Sequence, residues 1–417
     1  MSEQAAALGK SDVPVYFIKG GTFRADDEAL QAAIGAVYEG PERPCCMCKR
    51  GGVPMYVAKY DTFVVKRLPD TGREHSTACY HYELPPAESG RGELIGTAIV
   101  ERAPDDIDLK FDFPLERMPG RSIGPAATDE ASEVSTGGRR MSLRGLLHYM
   151  WAEARFNCWT PAMEGKRSWP VLHHHLTLVL KGKNAKGRPV ADVIYVPESF
   201  AAERKTAIAA ARRKAFSRLT SAQTSVQQMV VVGELKATEQ ATSGERILIK
   251  HMPDCPLLMD KHTWDRFVKV FKPLFDARAT DEKLHLVVAC LVYSAQESVF
   301  RIDRASMMLT TGHWIPVEGT FEVPLIRALV DQHYRFEKPL RFDAKSAAPF
   351  ANVVLKDSNQ ANFPLDVISA HAPEAEQEAK ARYASERSKI PWIWRTDEPI
   401  PPLPWKPRSA IGAAALG

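Results

Sequence analysis

Cys45-Cys-Met-Cys-Lys-Arg-Gly-Gly-Val-Pro-Met-Tyr-Val-Ala58, followed by Thr71-Gly-Arg-Glu-His-Ser-Thr-Ala-Cys-Tyr-His81, is the pair of stretches that decides how the front of this chain is built. A tetrahedral ion is held most easily by two ligands from each of two short knuckles, because each loop closes on the ion without straining its own backbone. Cys46 and Cys48 supply one pair and His75 and Cys79 the other. Cys45 replaces Cys46 if the spacing is Cys-x-x-Cys, and His81 competes with His75. A set made only of Cys and His leaves no open coordination position, so the expected ion is a structural Zn rather than a catalytic one.

Working outward, residues 12 to 100 read as short strands. Val13 to Ile18, Pro54 to Ala58, Thr62 to Lys66 and Leu94 to Val100 are separated by Gly, Pro and Asp, and one helix is expected from Asp27 to Tyr38. Residues 103 to 140 are rich in Pro, Asp, Gly and Ser and read as an exposed linker. Ser142 stands at an N-cap position before Leu143, Leu146, Leu147, Met150 and Trp151 at helical spacing, which predicts a buried amphipathic helix. Leu172 to Leu180 and Ala201 to Leu219 are also helical by pattern.

From residue 229 strand and helix alternate. Met229 to Leu235, Arg246 to Lys250 and Leu284 to Tyr293 are expected strands, with a helix from His262 to Phe275. A helix from Val323 to His333, a strand pair at Phe350 to Leu355 and Phe363 to Ile368, and a polar helix from Glu374 to Ser388 follow. The tail from Pro391 reads as packed extended chain. The fold class expected is a multi-domain α+β or α/β protein: a zinc-stabilised β-rich module over 1–102, the linker over 103–140, a helical basic segment over 141–228, and a mixed-sheet region over 229–417.

Composition bounds the function. The 417 residues are 45% hydrophobic and 25% charged, enough for two or three cores, and the formal charge of +4 neither demands nor excludes a nucleic-acid partner. No apolar run reaches the ~18 residues of a membrane helix, and the Met-Ser-Glu-Gln start lacks a signal-peptide pattern, so a cytoplasmic protein without a membrane partner is expected. Seven cysteines are too sparse for a disulfide scaffold. Cys158, Cys255 and Cys290 are isolated. His173, His174 and His175 are consecutive on a helix and cannot all face one ion.

Cations mark the candidate nucleic-acid interface. Lys166 and Arg167 lie between Trp159 and Trp169, a mixture in which cations meet phosphates and rings stack on bases, though the rings also suit a core. Arg204, Lys205, Arg212, Arg213, Lys214 and Arg218 fall on one helix whose acidic complement is Glu203 alone.

The runs from Cys48 through Val53-Pro-Met-Tyr-Val-Ala, Lys66-Arg-Leu-Pro-Asp-Thr-Gly and His75 to Cys79 resemble the N-terminal signature of an uncharacterised bacterial family, domain of unknown function 1173. Trp159 to Trp169, Tyr195-Val-Pro-Glu-Ser-Phe and Arg335-Phe-Glu-Lys-Pro-Leu-Arg extend the resemblance over nearly the whole chain. It implies no established activity, and such families are often carried by plasmids or integrated mobile elements. Residues 320 to 390 further resemble a degenerate restriction-endonuclease-like core. That resemblance implies carboxylates around Mg, with a lysine to activate water. Here Glu322 opens a helix, Asp357 and Asp366 offer carboxylates, and Lys380 offers a lysine from the following helix, while Asn352 stands where an aspartate belongs. The readings that remain are a zinc-containing nucleic-acid-binding protein without catalysis, a Mg-dependent nuclease, or a protein-protein scaffold.

Overall fold

A computed structural model describes residues 13–406 except 93, 118–139, 220–224, 297 and 343–349. The chain opens on a five-stranded antiparallel sheet. It comprises β1 (Val15–Ile18), β2 (Gly21–Arg24), β3 (Cys45–Cys46), β4 (Val53–Lys59) and β5 (Phe63–Arg67), in the order β2-β1-β3-β4-β5. Alternation along β4 buries Val53 and Met55 and exposes Pro54, as a one-sided sheet requires. The helix expected from Asp27 is shorter, α1 (Leu30–Gly35), with Leu30 and Ile34 as its buried residues and turns on either side.

After α2 (Pro86–Ser89), the strand expected from Leu94 begins only at Ile99. Gly96 at φ +77° turns the chain, and the amide of Ile99 donates to the Leu94 carbonyl at 2.9 Å. β6 (Ile99–Ala103) pairs with β7 (Asp106–Leu109), and β8 (Glu116–Arg117) follows. Ile107, Leu109, Phe111, Phe113 and Leu115 are all buried. This front part of the expected linker is therefore strand and core, its apolar alternation hidden among Asp and Pro. The rest of the linker, 118–139, lies outside the described residues.

α3 (Leu143–Glu153) is capped as expected, the Ser142 hydroxyl oxygen accepting from the Gly145 amide at 3.1 Å. Next come β9 (Cys158–Trp159), α4 (Trp169–Leu180), β10 (Lys183–Ala185), β11 (Arg188–Pro189), α5 (Val190–Val193), β12 (Ile194–Tyr195) and the basic helix α6 (Lys205–Phe216). β11, β10, β7 and β6 form a small sheet in that order.

The centre of the molecule is a sheet that closes on itself. It contains β13 (Val226–Ala241), β14 (Gly244–Ile249), β15 (Leu257–Asp260), β16 (His285–Gln296) and β17 (Val299–Thr310), with α7 (Lys261–Thr280) between β15 and β16. The order runs β13-β14-β15-β17-β16 and returns to β13, whose first half pairs with β16 and second half with β14. β15 and β17 run parallel. The long apolar run of β16 follows from this closure. Leu286, Val288, Cys290 and Val292 face one core with Met229, Val231, Ile247 and Leu257, while Val287, Ala289 and Leu291 face another with α3 and α4. α7 packs across β14, β15, β16 and β17. β15 and β17 escape the sequence reading because one is four residues long and the other carries Arg301, Asp303 and Arg304.

β18 (Pro316–Val317) adds to β17. The chain then runs α8 (Val323–Asp331), β19 (Phe336–Glu337), β20 (Val353–Leu355), β21 (Phe363–Ile368), α9 (Glu374–Arg387) and β22 (Trp392–Arg395). These strands build a sheet in the order β22-β21-β20-β19-β9, antiparallel except for β21 with β22. The Trp-rich tail is thus an edge strand. The segments drawn at 141–228 and 229–417 share sheets through β9 with β19 and β12 with β13. Among the described residues no helix is long and apolar enough to cross a membrane.

Candidate metal centre

Cys45 and Cys46 are consecutive on β3, so their side chains leave opposite faces of the sheet. Cys46 faces inward and is fully buried, whereas Cys45 points toward the Arg43 carbonyl, 3.9 Å from its Sγ. The strand therefore selects Cys-x-Cys, and Cys45 is not a ligand candidate. Cys48 follows in the turn to β4, which Gly51 and Gly52 close at φ +91° and +72°. The second knuckle begins with a 3₁₀ turn, Thr71–Glu74, and delivers His75 and Cys79. Gly72 permits it, because a Cβ there would lie 2.6 Å from the Cβ of Glu83.

The ligand atoms of Cys46, Cys48, His75 and Cys79 all lie within 4.8 Å of one another. Cys46 Sγ is 3.7 Å from Cys79 Sγ, and His75 Nδ1 is 3.4 Å from Cys48 Sγ and 3.7 Å from Cys79 Sγ. A tetrahedral ion with metal–sulfur bonds of about 2.3 Å and metal–nitrogen bonds of about 2.0 Å needs edges of about 3.8 and 3.5 Å. The four side chains fit that figure and could hold a metal such as zinc. Backbone amides of Ser76 and His81 donate to Cys48 Sγ and Cys79 Sγ, both at 3.4 Å, which favours thiolates. The Cys79 thiol is drawn down to about 4, foremost by the Cys46 thiol donating into it, and Cys46 is pushed up in return. His81 belongs to the next layer: its Nε2 is 2.8 Å from the Tyr16 hydroxyl, and its ring centroid is 5.4 Å from that of His75. His173 to His175, Cys158, Cys255 and Cys290 join no such group among the described residues.

The C-terminal carboxylates meet a different environment. Glu322 and Asp366 are each 1% exposed. Glu322 Oε1 accepts from Asn352 Nδ2 at 2.6 Å and from Lys338 Nζ at 3.0 Å, while its Oε2 accepts from the Glu318 amide at 2.8 Å. Asn352 uses its other end to accept from the Val367 amide at 2.9 Å. Asp366 pairs with Arg387 at 2.5 Å and lies 4.0 Å from Lys380 Nζ, which donates to the Phe350 carbonyl at 2.7 Å. Burial pushes the Asp366 carboxyl up and brings Lys380 down to about 8. Glu322, Asn352, Asp366 and Lys380 thus sit in one buried ionic neighbourhood. Asp357 does not join it, being held by the Arg335 amide at 3.0 Å and by Lys406 at 3.1 Å. Lys338, the central cation, is not among the site residues expected from the sequence; it stands in the charged stretch Arg335-Phe-Glu-Lys338, where nothing signals its burial.

Two of the candidate phosphate-binding cations are structural. Arg167 donates to the carbonyls of Phe156 at 2.9 Å and His313 at 3.1 Å and to that of Cys158, and burial without a carboxylate brings it down to about 10. It ties a corner together, and Trp159 and Trp169 beside it are buried. Arg212 is buried on the inner face of α6 and pairs with Asp254. Arg204 and Arg218 are exposed but paired with Glu198 at 2.5 Å and Asp192 at 2.8 Å. Lys166 is exposed, as are Lys205, Arg213 and Lys214, the last three without an ion pair among the described residues.

The chain belongs to the family described as "Protein of unknown function (DUF1173)", whose model matches residues 16–397. No curated protein and no solved structure matches it.

Proposed function

We propose that this chain is a nucleic-acid-binding protein whose N-terminal knuckles are held by a structural zinc ion and whose buried carboxylates do not cut the bound strand. The observation that carries the reading is the exposed Arg246, with half-buried Leu258 and Arg301, on the outer side of the closed five-stranded sheet. Its strand order, with a helix between the third and fourth strands and the third and fifth parallel, matches the connectivity of an OB-fold, in which the second and third strands carry oligonucleotides.

Fold alone assigns no function, so the residues must support it. Here the second and third strands are β14 and β15, and register sets Arg246, Leu258 and Arg301 in one row across β14, β15 and β17. That face borders a cleft of about 350 Å³, also lined by Phe300 and by Arg213 of α6. Arg212 is neutralised by Asp254, leaving Arg213 and Arg246 as exposed guanidinium groups beside an aromatic ring. Cations along a groove with a ring to stack on suit a single strand better than a duplex. The test is fluorescence anisotropy with a labelled single-stranded oligonucleotide and its duplex over a salt series. Arg213→Glu with Arg246→Glu should weaken single-strand binding and flatten its logarithmic salt slope by about 1.4, two contacts at ~0.7 each. Absence of any binding at low salt sinks the reading and leaves the scaffold.

A Mg-dependent nuclease of the restriction-endonuclease-like class is the second reading. It is favoured by the helix, three strands, helix, strand order from α8 to β22 and by the meeting of Glu322, Asn352, Asp366 and Lys380. It is opposed by the cations already seated on both carboxylates.

A further inference from the structure

A second cleft, of about 60 Å³, opens where the Cys79 knuckle meets β9 and β19. Four buried polar atoms in its walls have no hydrogen-bond partner among the described residues: Trp159 Nε1, Thr160 Oγ1 and Arg155 Nε, which can donate, and Glu337 Oε2, which lies beside the Lys356 ammonium. Trp159 is 1% exposed, so its indole N–H has surrendered water without a protein acceptor in return. A buried donor left without an acceptor is destabilising and calls for an occupant.

The chemistry of the walls says what kind. An indole N–H and a guanidinium N–H only donate, and a threonine hydroxyl can donate, so the complement is rich in acceptors. The ionisable side chains around the cleft sum to a positive charge: Arg155, Arg335 and Lys356 against Glu337 and the Cys79 thiolate, three minus two. Glu337 is itself matched by Lys356 at 3.1 Å. Tyr80, Met163 and Phe336 supply an apolar flank. The geometry points to a binding site for a small organic oxyanion, a carboxylate or phosphate ester on a flat apolar body, with its charged end on the donors of Trp159, Thr160 and Arg155. This site is separate from the α6 cleft and does not depend on nucleic-acid binding.

Calorimetry on the full chain as purified, with benzoate, adenosine 5′-monophosphate and inorganic phosphate as probes, tests it. At least one organic anion should bind, and which one binds distinguishes carboxylate from phosphate. Trp159→Phe and Thr160→Val each remove one donor, the second without changing shape, and each should weaken that binding about tenfold, the worth of one hydrogen bond to a charged acceptor. Circular dichroism would establish that both variants are folded. Binding to none of the three probes, or undiminished binding by both folded variants, overturns the assignment and leaves ordered water as the occupant.

Discussion

The Cys/His cluster and the carboxylate cluster are both assembled from ionisable side chains on separated strands and turns, and both are largely buried. They differ in what balances the charge. Around Cys46, Cys48, His75 and Cys79 the described residues place no ammonium or guanidinium among the hydrogen-bond partners of the sulfurs, only one another and backbone amides. Around Glu322 and Asp366 every acidic group already has a cation, from Lys338, Arg387 and Lys380. Buried charge must be paired or bound to a metal. The first cluster therefore calls for an external ion, and the second has its counterions built into the chain.

The strongest way to break this comparison is at the first cluster. Elemental analysis should find one zinc per chain, lost when Cys48 and Cys79 are both changed to serine. Structural zinc sites supply apparent binding energies of about 10 kcal/mol or more, so the variant should lose hydrogen-exchange protection first over residues 44–85. Full zinc retention by the double variant would remove the assignment of these ligands.

At the second cluster, Asn352→Asp replaces the amide that donates to Glu322 at 2.6 Å with a second carboxylate. Without divalent metal this should destabilise the fold by about 3–5 kcal/mol, the usual cost of an uncompensated buried charge, read by denaturant unfolding. If Mn²⁺ restores the loss and strand cleavage appears, the nuclease reading takes precedence.

A smaller effect separates acid loss at the thiolates from acid loss elsewhere. His148 on α3 is buried against the Arg341 carbonyl, 2.7 Å from its Nδ1, and burial brings it down to about 4 from 6.5. The unfolded chain binds this proton below pH 6.5 and the folded chain only near 4, so the stability is present above 6.5 and lost as pH falls through that window. About 2.5 pH units correspond to at most about 3 kcal/mol. His148→Gln should flatten the pH dependence of Tm between 6.5 and 4; an unchanged slope would assign the acid sensitivity to other groups.

The Cys46, Cys48, His75 and Cys79 set was legible in the sequence because the ligands are local and their residue types are rare. The choice between Cys45 and Cys46 needed the strand register. Asn352 and Asp366 were legible as strand positions, but their counterion was not. Lys338 reaches Glu322 across 16 residues, and nothing in the spacing separates it from a surface lysine. Arg167 and Arg212 illustrate the reverse error: sequence supplies the charge of a side chain but not the face it leaves from. The closed sheet was illegible for another reason. Its closure depends on β13 serving two partners along its 16 residues, and neither partner is marked in the pattern of β13 itself.

The pairing of β9 with β19 has a consequence for the order of assembly. Cys158 lies opposite Glu337, and the whole closed sheet is threaded between them in the chain. Joining those ends before the intervening chain has condensed would carry a loop-closure entropy of about 5 kcal/mol for a loop of 179 residues, 337 minus 158. Condensing the intervening barrel first shortens the distance to be spanned, so β9 is expected to wait, a latch that closes on a body already made. Pulse-labelling during refolding would reveal a different route if β19 amides gained protection before those of β16.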